Sequence, residues 1–342
     1  MRGAFIVALL WLATPAAAAP GVQGMGAIEL VNPFPAAGPH DINGSLPVNK
    51  VLRAMQDHAV PPVTDVLARS LQQSMTLGLD TNVSLVRRPR RNGIDAQYHA
   101  ARAAPDGRTL LLGSTGSIII QPLVARDAQL DPLRDLTPVA LVARMPFVLI
   151  AAAGSRLRDV QAVMEAAQAM PGRLHLGSAG EFTISHLAGA LLQRATGVML
   201  HDVSFNGGAP ASRGVLADQI ELALLPLPAV LPYARNPKLR ALAITDRERH
   251  AALPGVPTVV ETGIPGAAYS AWYGVFAASA TPGHLIDRID AAIASERHAE
   301  PVRLEMSRHG LTATHLGAGR LREMIEEEVR LWKPFIDELK LR

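Results

Sequence analysis

The sequence contains no cysteine. That excludes disulfides, thiol nucleophiles and thiolate-held zinc or iron–sulfur centres. Aromatic residues are scarce, 4% of a chain that is 49% hydrophobic. The apolar content is mostly Ala, Leu and Val, which suits packed α/β layers better than an aromatic-rich sandwich. Neither sign of charge dominates. Lys and Arg total 33 against 30 Asp and Glu, for a formal net charge of +3. Nucleic-acid binding would call for dense basic stripes interleaved with aromatics, so no nucleic-acid partner is expected. Beyond the N-terminus no apolar run approaches the ~18 residues of a membrane span. The His-Glu-x-x-His, Gly-x-Ser-x-Gly, Gly-x-x-x-x-Gly-Lys and Gly-x-Gly-x-x-Gly signatures are all missing. Ser185 and His186 are sequence neighbours, and on a helix such neighbours point apart, so they form no nucleophile–base pair. The expectation is a protein that is not an enzyme and needs no cofactor.

What is present begins with an export signature. Arg2 precedes an apolar run from Ala4 to Ala13, and Ala16, Ala17 and Ala18 offer a small-residue cleavage site. Residues 1–18 therefore read as a signal peptide cut after Ala18, with the mature protein in the periplasm. The 342 residues suffice for two domains of ~100–200 residues each. Along the chain, short apolar runs alternate with amphipathic stretches. Strands are expected at 27–33, 83–86, 110–112, 139–142, 147–151, 174–176, 220–225 and 239–244. Helices are expected at 63–75, 96–104, 160–167, 185–195, from 281 onward and over 321–332. This alternation predicts two lobes, each a mostly parallel sheet covered by helices. One lobe comprises 19–123 plus 246–342, with an insertion at 42–63, and the other 124–245.

Several local motifs carry a family resemblance: Asn32-Pro33-Phe34-Pro35-Ala36-Ala37-Gly38-Pro39, Ala104-Pro105-Asp106-Gly107-Arg108-Thr109, and Thr137-Pro138-Val139-Ala140. Further on stand Gly177-Ser178-Ala179-Gly180 with Ser185-His186-Leu187-Ala188-Gly189, then Gly207-Gly208-Ala209-Pro210, Leu253-Pro254-Gly255-Val256-Pro257-Thr258 and Trp272-Tyr273-Gly274. Their order and spacing resemble the substrate-binding components of tripartite tricarboxylate transporters, the TctC or Bug (Bordetella uptake) family. The resemblance implies a monomeric, type II-like periplasmic binding protein that closes over a small carboxylate between its lobes. It also implies membrane transporter subunits as partners, or a sensor kinase to which the loaded protein is presented.

Three stretches rich in small residues follow expected strands, where loops of α/β sheets line ligand crevices. The first is Phe34, Pro35, Ala36, Ala37 and Gly38, with Asp41 beyond it; Asp65 competes with Asp41 for the family's acidic position. The second is Ser114, Thr115 and Gly116. The third is Ser178, Ala179, Gly180, Thr183, Ser185 and His186, a loop entering a helix whose first amides lack intrahelical acceptors. Either Thr183 or Ser185 is its N-cap. Where relatives often carry a polar pair this chain has Leu225 and Pro226, which predicts an apolar wall. Arg87, Arg88, Arg90 and Arg91 read as a solvated surface charge run.

Overall fold

The computed structural model describes residues 25–34, 63–124, 130–297 and 300–340. The signal-peptide segment, Pro35 to Gly38, Asp41 and the inserted stretch up to residue 62 lie outside the described residues. The strands are β1 (Ile28–Asn32), β2 (Val83–Arg87), β3 (Thr109–Ser114), β4 (Leu136–Ala152), β5 (His175–Ser178), β6 (His201–Ser204), β7 (Leu222–Pro226), β8 (Leu239–Ile244), β9 (Ser270–Ala278) and β10 (Thr312–Gly317). The helices are α1 (Val63–Leu79), α2 (Ile94–Ala101), α3 (Gln121–Val124), α4 (Pro132–Asp135), α5 (Val160–Ala169) and α6 (Ile184–Thr196). They continue as α7 (Gly208–Leu216), α8 (Leu227–Val230), α9 (Gly283–Arg297), α10 (Glu300–Arg308) and α11 (Ala318–Lys340).

The fold is α/β and two-lobed. In the first lobe β2, β1 and β3 are parallel, while β9 joins β3 and β4 antiparallel and β10 pairs β4 antiparallel. In the second, β6, β5 and β7 are parallel, with β4 antiparallel to both β7 and β8. Parallel pairing is thus confined to the outer strands of each lobe. The mostly parallel sheets expected from the alternation are mixed sheets, because the chain crosses between lobes on strands that run against the others.

The main crossing is β4. The two short strands expected at 139–142 and 147–151 are one 17-residue strand. Its first part pairs with β9 as far as Pro146, and from Phe147 it pairs with β7 and β8. Pro146 has no N–H to donate, and the chain changes neighbours there. The segment from Thr245 to Tyr269 returns to the first lobe beside it. Thr245 ties both crossings together: the Phe147 amide donates to its Oγ1 at 3.0 Å, and that hydroxyl donates to the Tyr269 carbonyl at 2.5 Å.

Three apolar clusters fill the layers. One covers a single face of both lobes and takes in α2, α5, α6 and the buried side of α11. The other two lie under α1, α9 and α10 in the first lobe and under α7 and α8 in the second. Helix α11 follows the expected spacing, with Leu321, Ile325, Trp332 and Ile336 fully buried. Its far end reaches the second lobe, where the Arg194 guanidinium of α6 lies 4.8 Å from the Phe335 ring. Among the described residues no helix is long and apolar enough to cross a membrane.

Candidate functional site

In each lobe the loops after the parallel strands gather at one end. In the first lobe Phe34 follows β1, and its ring meets Tyr273 edge-on at 6.0 Å between centroids. Tyr273 is the register partner of Ser114, so the Phe34 and 114–117 loops flank one aromatic residue. The 114–117 loop closes on itself. The Ser114 amide donates to Ser117 Oγ at 2.9 Å, and Gln97 Nε2 donates to the Ser117 carbonyl at 3.1 Å. Thr115 is fully buried and its Oγ1 accepts the Trp272 amide at 3.0 Å. Ser114 and Gly116 remain partly exposed.

The second lobe contributes the loop after β5. Thr183 is the N-cap of α6: its Oγ1 accepts the His186 amide at 3.4 Å and donates to the Gly180 carbonyl at 2.7 Å. Of the two candidate caps, Thr183 takes the role. Ser185 has a different one. Its Oγ accepts the Ala179 amide at 3.0 Å and donates to the Leu224 carbonyl at 2.5 Å, pinning the loop to β7. His186 Nδ1 accepts the Phe182 amide at 3.2 Å. Ser178 Oγ makes only 3.4 Å contacts to Gly180. Gly180 has φ 141°, a conformation open in practice to glycine alone.

The loop after β6 lies alongside. The Phe205 and Gly207 amides donate to the Ser178 and Ala179 carbonyls at 3.1 and 3.0 Å. Gly207 caps α7 without any side-chain acceptor. The amides of Ile184 and Ser185 at the start of α6, and of Gly208 and Ala209 at the start of α7, have no acceptor among the described residues. Two helix starts with free donors therefore flank one loop, an anion-attracting feature set against the exposed carboxylate of Glu181 in the same loop. Neither 178–186 nor 205–209 contains Lys or Arg. Among the described residues no group of acidic and His side chains could hold a metal ion. The Gly207-Gly208 pair was visible in the sequence, but the partnership of its loop with 178–180 was not.

Between the lobes stands Met145 on β4. It packs against the clusters of both faces, and the Tyr273 hydroxyl lies 3.8 Å from its Sδ. Pro226 pairs with Phe147 just beyond and is partly exposed. Leu225 is fully buried against the core of its own lobe, so Pro226 is the residue of the pair near the surface. Asp65 is bound up in an ion pair with Arg87 at 2.6 Å. Arg88 and Arg90 each have an acidic neighbour at 3.9 Å, Glu29 and Asp95 respectively.

Behind the 114–117 loop lies a buried carboxyl. Glu328 of α11 accepts from the Trp272 indole Nε1 on Oε1 and from the Tyr269 hydroxyl on Oε2, both at 3.1 Å. Burial pushes its pKa up to about 7 against the pull of those donors and of Arg144.

A two-lobed α/β chain crossed by one long strand, with small-residue loops facing the crossing, has clear relatives. The profile described as "Tripartite tricarboxylate transporter family receptor", TctC, matches residues 67–341. The chain belongs to this family. It is 32% identical over 285 residues to a UPF0065 protein in the tcbD-tcbE intergenic region of Pseudomonas sp. (strain P51), covering 82% of this chain and 84% of that one. It is 28% identical over 276 residues to protein BugT of Bordetella pertussis, covering 80% and 85%. A solved TctC solute-binding protein from Polaromonas shares the receptor's fold, with a TM-score of 0.75 at 23% identity over 92% and 99% of the two chains. MatC from Rhodopseudomonas palustris with bound malate is 25% identical with a TM-score of 0.66, covering 91% and 99%. An R. palustris protein with adipate is 25% identical with a TM-score of 0.69, covering 91% and 96%.

Proposed function

We propose that this TctC-family receptor is exported to the periplasm, captures a small carboxylate between its lobes, and delivers it to the membrane subunits of a tripartite tricarboxylate-type transporter. The observation that carries the reading is the pair of helix starts, α6 and α7, whose first amides have no acceptor among the described residues, beside the 178–180 loop. Free amides at a helix N-terminus hydrogen-bond a carboxylate without a cationic side chain. Ala179, the partly exposed residue of the 178–180 stretch, supplies close backbone approach, while Thr183 and Ser185 hold the loop in shape and His186 braces it. Phe34, Ser114 and Gly116 form the facing wall. Met145 and Pro226 leave the floor apolar. Malate and adipate, held by two relatives of the same fold, fit this chemistry.

The lobes are assigned as 19–123 with 246–342, and 124–245. Strand pairing supports moving the first boundary into β4, at 146–147, since 136–146 pair within the first lobe.

The test is to purify the protein from the periplasm, identify the retained small molecule by native mass spectrometry, and titrate a panel of mono- and dicarboxylates by calorimetry. An acid bound tightly in the cleft is the expected result. Absence of binding across the panel refutes the reading.

A further inference from the structure

We propose that Glu328 is a positioning residue for ligand capture: its carboxyl fastens the ligand loop 114–117 to the interlobe crossing, and gain or loss of its proton changes how firmly that loop and crossing are held. The inference rests on the carboxylate-binding reading for its consequence and on the buried contacts for its mechanism.

The contacts form a continuous chain. Glu328 holds Trp272 through the indole and Tyr269 through the hydroxyl. The Trp272 amide is in turn bonded to Thr115 in the middle of the ligand loop. The Tyr269 carbonyl is bonded to Thr245, and Thr245 to Phe147, the first residue of β4 in the second lobe. One carboxyl on α11 therefore stands between a ligand-facing loop and both strands that join the lobes. The Tyr269 ring is clamped from its other side by Trp332, edge-on at 4.9 Å. Movement of one lobe against the other passes through these residues.

The carboxyl is poorly suited to being passive. An ionised Glu328 receives two charge-assisted hydrogen bonds, one on each oxygen, which are stronger than those to a neutral acid. Burial favours the neutral form instead, and the balance leaves its pKa at about 7. The charged or titratable groups facing it are Arg144 of β4 and Tyr269, whose own pKa burial raises well above the usual range. The 114–117 loop offers only hydroxyls, and on its own helix Met324 and Ile325 are apolar while the Trp332 indole favours the ionised form. Arg144 favours ionisation, and Tyr269 stays protonated and donating. Because the pKa of the fastened carboxyl stands above the ordinary carboxylate range, proton gain favours the fastened arrangement and proton loss loosens it.

The test uses the indole groups as reporters. The chain has three tryptophans, and only Trp272 and Trp332, both at this node, lie beyond the signal-peptide segment. In ligand-free protein the Trp272 indole N–H resonance is followed from pH 5.5 to 8.5, with amide exchange at 114–117 and 269–273. The expected result is a Trp272 shift with a midpoint near neutrality and greater protection below it, corrected for the intrinsic pH dependence of exchange. Both effects vanish in Glu328→Gln. Tyr269→Phe, which removes one donor, moves the midpoint upward and remains informative if the Gln variant folds poorly. Binding of adipate, mostly the dianion over this range, is measured in parallel. At least threefold tighter binding at pH 6 than at pH 8 is expected in the wild type, and a flat profile in Glu328→Gln. An indole shift that does not titrate, or that titrates identically in the Gln variant, overturns the proposal. Normal indole titration with no acid bound at any pH instead refutes the carboxylate reading and leaves the fastening intact.

Discussion

Both Ser178 and Ser185 are buried, but Ser185 commits its hydroxyl to two close partners while Ser178 makes only long contacts. That difference separates anchoring from architecture within one short loop. Ser185→Ala leaves the Leu224 carbonyl and the Ala179 amide without their partner. It is expected to cost about 1–3 kcal/mol in urea denaturation. Ser178→Ala removes only long contacts and should change stability by less than ~0.5 kcal/mol. It should still weaken carboxylate binding roughly tenfold or more in calorimetry, the equivalent of one charge-assisted bond. Equal affinity in wild type and Ser178→Ala would move the anchor to the bare amides of α6 and α7. Glu328 adds a pH signature. Its folded pKa of about 7 stands above the ordinary glutamate value of 4.5, so the folded state holds the proton more tightly. Its contribution is fully present below about pH 4.5 and lost as pH rises to 7. Between those limits wild-type stability should fall by on the order of 3 kcal/mol relative to Glu328→Gln, read from paired denaturation curves at pH 5 and pH 7.5. Parallel curves would show that Glu328 titrates normally in the folded protein.

At the scale of the element, β4 and α11 join the two lobes. Helix α11 was legible as an amphipathic stripe over 321–332, and it runs on to Lys340 because Phe335 and Ile336 continue the same buried face. Phe335→Ala removes a buried ring and its contact with Arg194. It should cost about 3–5 kcal/mol, seen as a lowered Tm, and loosen the end of the strap on the second lobe. Gly310, with φ 74°, packs against Pro228, where an added Cβ would lie 2.9 Å from the Pro228 backbone nitrogen. Gly310→Ala should destabilise the protein by both strain and overlap. Unchanged stability would mean that the 308–311 turn gives way freely. Strand β4 was read as two strands because Arg144, Met145 and Pro146 break the apolar run. Strands β6, β9 and β10 were not read at all. The apolar stretch of β9 around Trp272-Tyr273-Gly274 carries no alternation, since it is buried on both faces between β3 and β4.

At the scale of the whole molecule, ligand binding should appear as closure and as stabilisation. A carboxylate at 100 times its Kd adds ~2.7 kcal/mol to the unfolding free energy, a rise in Tm that a thermal-shift panel detects. Small-angle scattering with and without that acid should show compaction. An apolar floor at Met145 and Pro226 leaves an ammonium group without a partner, at a cost of several kcal/mol. Malate and adipate should therefore outbind aspartate and glutamate. Tight aspartate binding in calorimetry would overturn this, and would direct attention to Asp41, since Asp65 is already paired with Arg87.

The sequence by itself determined the α/β class, the two-lobed plan, the family and the three small-residue loops. Each of these is written in local signals: apolar periodicity, Gly-rich strand ends, and short motifs in a fixed order. It also left Thr183 and Ser185 as equal candidates for one cap, and it assigned both hydroxyls to the ligand. Only the tertiary structure decided that Thr183 closes α6 while Ser185 reaches across to β7, because that choice depends on which carbonyl lies opposite. The antiparallel crossings, the burial of Leu225 and the joining of Glu328, Trp272 and Thr115 were likewise settled by packing. Glu328 stands 56 residues from Trp272 in the chain, and no local pattern records a partner at that separation. Its proton affinity arises from the apolar surroundings that folding builds around it, which no reading of its immediate neighbours supplies.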